Sequence, residues 1–91
     1  MSDAPWRVYI LESTRGALYT GITTSLERRL AEHAGQGGRG ARFFRLGAPG
    51  RLRYVEPAAD RSVALRREAE IKRLTRAKKL ALIATRPLAS G

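Results

Sequence analysis

The 91-residue chain has no cysteine and one histidine, His33. Without cysteine there is no disulfide and no thiolate-bound metal, and a single histidine cannot build a multi-histidine zinc site. Any metal must be a hard cation held by oxygen. No stretch approaches the roughly 18 uninterrupted apolar residues that a membrane span requires, and an apolar fraction of 43% is that expected of a packed soluble globule. Met1-Ser2-Asp3-Ala4-Pro5 has neither the basic stretch nor the apolar core of a secretory signal, so the expected location is cytoplasmic. The length predicts one domain over residues 1–91, with its core at about 6–84.

Acidic residues are scarce. Eighteen Lys and Arg stand against eight Asp and Glu, giving a net charge of +10 and a pI near 11.4. That balance favours a polyanion, because phosphates neutralised by Arg and Lys release condensed counterions. Nucleic acid is the expected partner, with a basic surface kept for solubility as the competing explanation. No basic amphipathic helix with a broad aromatic face is present, so a membrane surface is not expected.

Trp6 to Glu12 and Ala17 to Ile22 are rich in β-branched and aromatic residues and flank Ser13-Thr14-Arg15-Gly16. They predict a hairpin with a glycine bulge at Gly16. With Tyr9 opposite Tyr19, Val8 and Ile10 share an apolar face with Leu18, Thr20 and Ile22, and the tyrosines share the other face. Thr24-Ser25-Leu26-Glu27 has capping-box spacing, and Leu26, Leu30 and Ala34 continue as a helix stopped by Gly35. On that helix Arg29 and His33 lie four apart on one flank of the apolar stripe, and Arg28 points away. Residues 35–47, GQGGRGARFFRLG, read as a basic loop with a short helical turn near Phe43 and Phe44. Residues 51–56, RLRYVE, predict a third strand stopped by Pro57; Asp60 caps a helix to about Leu74, and Thr75 opens another to about Ala84. The fold class is α/β (α+β): a small three-stranded antiparallel sheet flanked by helices.

Val8-Tyr9-Ile10, then Tyr19-Thr20-Gly21, then Arg29 eight residues past the glycine and His33 four later, resemble the GIY-YIG nuclease superfamily. The chain is most similar to its small stand-alone bacterial members, over nearly its whole length and including SVALRREAEIKRL. Arg7 stands where the first triplet would carry its glycine. The resemblance implies a catalytic set of Tyr9, Tyr19, Arg29, His33 and Glu68. Tyr9 would accept a proton and Tyr19 would order water or phosphate, two roles that could be exchanged, while Glu68 would bind Mg²⁺ or Mn²⁺.

The residue types suit that chemistry. Hydrolysis of a phosphodiester needs a nucleophile, charge stabilisation at five-coordinate phosphorus and, commonly, a divalent Lewis acid. Arg29 offers a planar, permanently charged fork matched to phosphate oxygens. A tyrosine can relay a proton when a nearby cation lowers its pKa from about 10, and His33 can support either phenol or bond the phosphate. Mg²⁺ accepts one or two carboxylates plus phosphate oxygens and water. Glu68 lies between Ala64 and Ile71, partly inward, with Lys72 at i+4 as an alternative ion-pair partner; Glu70, flanked by Arg66 and Arg73, is the other candidate ligand. Each residue alone has an ordinary explanation in packing or solvation, and the functional reading rests on their conjunction.

Arg39, Arg42, Arg45, Arg51 and Arg53 form a run without acids, and residues 61–79, which include Lys72, carry eight Lys and Arg against two Glu. Such groups position a nucleic-acid backbone without reading its sequence. Phe43 or Phe44 either stacks on an unpaired base or anchors the loop in the core. The reading is a metal-dependent DNA endonuclease directed by structure rather than sequence, with repair or recombination as its setting. Its rivals are a non-catalytic nucleic-acid-binding module, a nuclease acting on RNA, and a subunit that works beside a protein partner.

Overall fold

The computed structural model describes residues 6–33 and 49–86, without the side chains of 31–33 and 49–50. Three strands, β1 (Trp6–Ser13), β2 (Leu18–Thr23) and β3 (Pro49–Ala58), form one antiparallel sheet in the order β2-β1-β3. Among the described residues three helices, α1 (Leu26–His33), α2 (Arg61–Lys72) and α3 (Arg76–Ala84), cover it.

The central place of β1 explains its composition. Val8, Tyr9, Ile10 and Leu11 are buried in succession, a pattern possible only where both faces of a strand are covered. Val8 and Ile10 pack with Tyr54, Ala64, Ile71 and Ile83, so α2 and α3 close one face. Tyr9 and Leu11 pack with Tyr19, Leu26, Leu30, Leu52 and Val55, so α1 closes the other.

The hairpin keeps the expected parity with a different partner. Tyr9 pairs with Gly21 and Leu11 with Tyr19, a shift of two residues from Tyr9 opposite Tyr19. An even shift leaves every side chain on its own face. The offset is set at the turn: Gly16 takes φ 86° and donates to the Ser13 carbonyl at 2.9 Å, while Ser13 N–H donates to Ala17 O at 2.8 Å. The Ser13 Oγ accepts from Arg15 N at 3.2 Å and Ala17 N at 3.1 Å.

Two other expectations need correction. The third strand does not stop at Pro57 but runs on to Ala58, with Arg7 paired to Pro57. β3 is an edge strand, where a missing N–H is tolerated. The cap of α1 is Ser25 rather than a box from Thr24 to Glu27: the Ser25 Oγ accepts from Arg28 N at 3.4 Å, one residue on from the expected start. Thr23 Oγ1 steadies that corner, accepting from Ser25 N at 3.0 Å and donating to Ser25 O at 3.1 Å. The caps of the later helices form as the sequence predicts. Asp60 accepts from Val63 N at 2.9 Å and Thr75 Oγ1 from Lys78 N at 3.2 Å. The loop at 35–47, with Arg39, Arg42, Arg45, Phe43 and Phe44, lies outside the described residues.

Replacing the Asp60 cap by alanine should lower stability by about 1 kcal/mol. Truncating the fully buried Ile71 to alanine should cost about 2–5 kcal/mol. Urea unfolding of the two variants at neutral pH checks both the sizes and their order.

Candidate active site

Gly21 is the floor of the site. A Cβ built there would lie 2.5 Å from the Tyr9 hydroxyl oxygen and 2.7 Å from its Cζ. The phenol of Tyr9 therefore rests directly on the backbone of its cross-strand partner, and only glycine leaves that space. What the missing side chain of Gly21 admits is this ring.

Tyr19, diagonal to Tyr9 on the same face, sets its ring centroid 6.5 Å away at an interplanar angle of 44°. It is half-buried, whereas Tyr9 is 1% exposed. α1 delivers Arg29: with Leu26 and Leu30 turned to the sheet, Arg29 is directed at the tyrosines and Arg28 is exposed to solvent. The Arg29 guanidinium hydrogen-bonds to the Tyr9 phenol. Burial nevertheless dominates and raises the Tyr9 pKa well above its ordinary value; the Arg29 charge opposes this, while Tyr19 and the charge of Glu68 reinforce it. Glu68 on α2 thus lies within electrostatic reach of the same phenol.

Glu68 and Glu70 differ in exposure, at 19% and 53% of the side chain. Glu70 is held by Arg67 Nη1 at 3.3 Å, not by Arg66 or Arg73 as their spacing suggested. Glu68 takes the expected i+4 partner, Lys72 Nζ at 3.4 Å. The structure therefore brings together Tyr9, Tyr19, Arg29 and Glu68. The backbone of His33 lies in α1, and its side chain is outside the described residues.

Among the described residues no group of three or more His, Cys, Asp or Glu could enclose a metal. The donor set is one half-sunken carboxylate beside phenols and a guanidinium. It fits Mg²⁺ or Mn²⁺, which leave most positions to water and phosphate oxygens, and does not fit a cation needing a full protein cage.

Two polar clusters were not read from the sequence. Glu12 bonds Arg53 and lies 3.7 Å from Arg51 Nε, so part of the run that lacks acids in sequence meets one in space. On the face covered by α2 and α3, Tyr54 donates to Glu56, and Arg67 donates to the same carboxylate through Nε at 2.8 Å and Nη2 at 3.3 Å. The i, i+2 spacing of Tyr54 and Glu56 on a strand was the available sign of their common face. Arg67, like Tyr54, has its pKa raised; for the arginine the main cause is its hydrogen bond to Glu56, for the tyrosine burial followed by the hydrogen bond to Glu56.

The sequence pattern of the GIY-YIG catalytic domain matches residues 5–81. This chain belongs to the GIY-YIG family. It is 42% identical over 87 residues to the UPF0213 protein of Yersinia enterocolitica, covering 96% of this chain and 88% of that one. A UPF0213 protein of Yersinia pestis is equally similar, with coverages of 96% and 90%. The solution NMR structure of the UPF0213 protein from Bacillus halodurans matches with a TM-score of 0.59 at 38% identity, covering 93% of this chain and 88% of that one. GIY-YIG domains are of nuclease type and act on nucleic acid, in keeping with the charge of +10. No helix among the described residues is long and apolar enough to cross a membrane.

Gly21→Ala should destabilise the fold by roughly 1–3 kcal/mol, as overpacking a tight contact does, and a Gly21→Ala/Tyr9→Leu double variant should cost less than the sum of its parts. Thermal unfolding of the three proteins decides this. Stability should also fall in alkali. An unfolded tyrosine ionises near pH 10 while folded Tyr9 keeps its proton to higher pH, so its contribution is whole below about pH 10 and is lost as the pH rises beyond it. Tyr54 acts in the same sense. Urea midpoints from pH 8 to 11 should show the decline, and Tyr9→Phe should make it shallower.

Proposed function

We propose that the protein is a metal-dependent endonuclease that hydrolyses DNA phosphodiester bonds, choosing substrates by structure rather than sequence, with repair or recombination intermediates as its targets. The observation that carries this reading is the meeting of Tyr9, Tyr19, Arg29 and Glu68 around the bare backbone of Gly21.

In this reading Arg29 binds the scissile phosphate and stabilises charge as it builds on the non-bridging oxygens. Its contact with Tyr9 holds the guanidinium in place before substrate arrives. Tyr9 gives up its own proton to solvent and then, as the phenolate, accepts the proton of the attacking water; the Arg29 charge beside it favours that ionised form against the burial that otherwise keeps the phenol neutral. Tyr19, half-buried on the same face, orders that water. Glu68 would hold the divalent cation, which supplies a Lewis acid to the phosphate and further favours ionised groups near it. Lys72 would then be released from Glu68 toward the substrate backbone. The exposed basic residues of α2 and α3, among them Arg61, Arg66 and Lys78, grip phosphates to either side. His33 serves as support at the phosphate.

Purified protein should cut one or more of plasmid, nicked, flap or branched DNA in Mg²⁺ or Mn²⁺ and be silent in chelator. Arg29→Ala and Glu68→Gln should each reduce cleavage by at least about 10²-fold with folding intact by circular dichroism. Wild-type rates in both would reject the site, preferential cutting of single-stranded RNA would reassign the substrate, and affinity without cleavage under any metal condition would reduce the protein to a binding module. DNA affinity should fall about 10³-fold between roughly 50 and 200 mM salt, the figure for about six phosphate contacts. A filter-binding titration gives the slope.

A further inference from the structure

The contact of Arg67 with Glu56 has no part in the proposed cleavage, yet its place on α2 gives it a task. Along α2 only Ala64 and Ile71 are buried. They stand seven residues apart, one above the other on a single line down the helix. Val63 and Leu65 beside that line are 37% and 39% exposed. A seam this narrow, with a methyl group at one end, resists rotation of the helix about its axis poorly. What opposes rotation is polar. Arg67 sets two nitrogens on Glu56, at 2.8 and 3.3 Å, and Tyr54 donates to the same carboxylate. The Glu56 side chain is 16% exposed, so this two-point, charge-assisted contact is sheltered from the screening that weakens surface pairs. Its remaining nitrogen holds Glu70 at 3.3 Å.

Glu68 is the next residue, about 100° further round the axis, and its reach to Tyr9 depends on where that rotation stops. We propose that Arg67, seated on Glu56 and Tyr54, is a positioning residue that sets the rotation of α2, so that Glu68 and not Glu70 faces the tyrosines as cation ligand. This rests on the reading of Glu68 as the residue that holds the cation.

The test is direct Mn²⁺ binding by the full-length protein without DNA, followed by the paramagnetic resonance of free Mn²⁺, together with the Mn²⁺ concentration for half-maximal cleavage. Glu68→Gln reports on the underlying reading. Arg67→Met and Glu56→Gln remove the contact from either side, so one serves if the other fails to fold. Leu82→Ala, on α3 and packed against the same core, lowers stability without touching the contact. Arg67→Met and Glu56→Gln should weaken Mn²⁺ binding roughly 10- to 100-fold, the range for residues that orient a metal ligand, and raise the half-maximal concentration in parallel, with Leu82→Ala unchanged in both. Wild-type affinity in Arg67→Met and Glu56→Gln would overturn the positioning role while leaving Glu68 as ligand. An equal loss in Leu82→Ala would overturn it too, since general loosening would then suffice. Wild-type affinity in Glu68→Gln would overturn the metal assignment itself, and the positioning role with it.

Discussion

The close contact between the Tyr9 phenol and the bare backbone of Gly21 governs the rest of the site. A buried ring has few places to go when both sheet faces are covered, and here its hydroxyl end lies against its partner strand because that strand offers no side chain. The hydroxyl is thereby held where a helix on the same face can aim an arginine at it and where Tyr19 flanks it. Had the strand carried alanine at that point, the ring would be lifted toward α1, and the spacing of Leu26 and Leu30 would no longer bring Arg29 to the oxygen.

A second constraint is the dual burial of β1. The strand carries core residues of one face and site residues of the other in strict alternation, so packing on the α2 and α3 side is transmitted to the site side through a single backbone. Charge follows the same division. Glu12 and Glu56, the acids of the sheet, are each tied to arginines, which leaves the phenols facing a guanidinium on one side and the single half-sunken carboxylate of α2 on the other. An excess of positive charge thus coexists with an ordered pattern of local pairs, and among the described residues much of the surplus lies on exposed helix surface.

Much of this was legible in the residues. Side-chain parity on the hairpin, the bulge at Gly16 and the caps at Asp60 and Thr75 follow from local chemistry, and local chemistry is what sequence carries best. The aim of Arg29 followed from helical spacing alone. The partner of Tyr9 did not, because an even shift in register costs nothing in face identity and was decided by the turn at Ser13. The extension of β3 through Pro57 was hidden because strand order, and so the edge position that tolerates proline, is a tertiary fact. The pairing of Arg53 with Glu12 and of Arg67 with Glu56 was equally out of reach: both join residues distant in sequence, and neither contact exists until the sheet and α2 are docked. The deeper burial of Glu68 than of Glu70 sits between these cases, for helical phase turned it inward and the two exposures agree.

The irregularity of β3 has a consequence outside the site. This strand forms one border of the sheet, and along it the pairing with β1 slips twice, near Arg53 and again near Gly50, before reaching a proline. An uneven border that lacks the backbone donors of Pro49 and Pro57 is a poor template for a strand from another molecule. At this border the hazard of self-association through backbone pairing is blunted by shape rather than by charge.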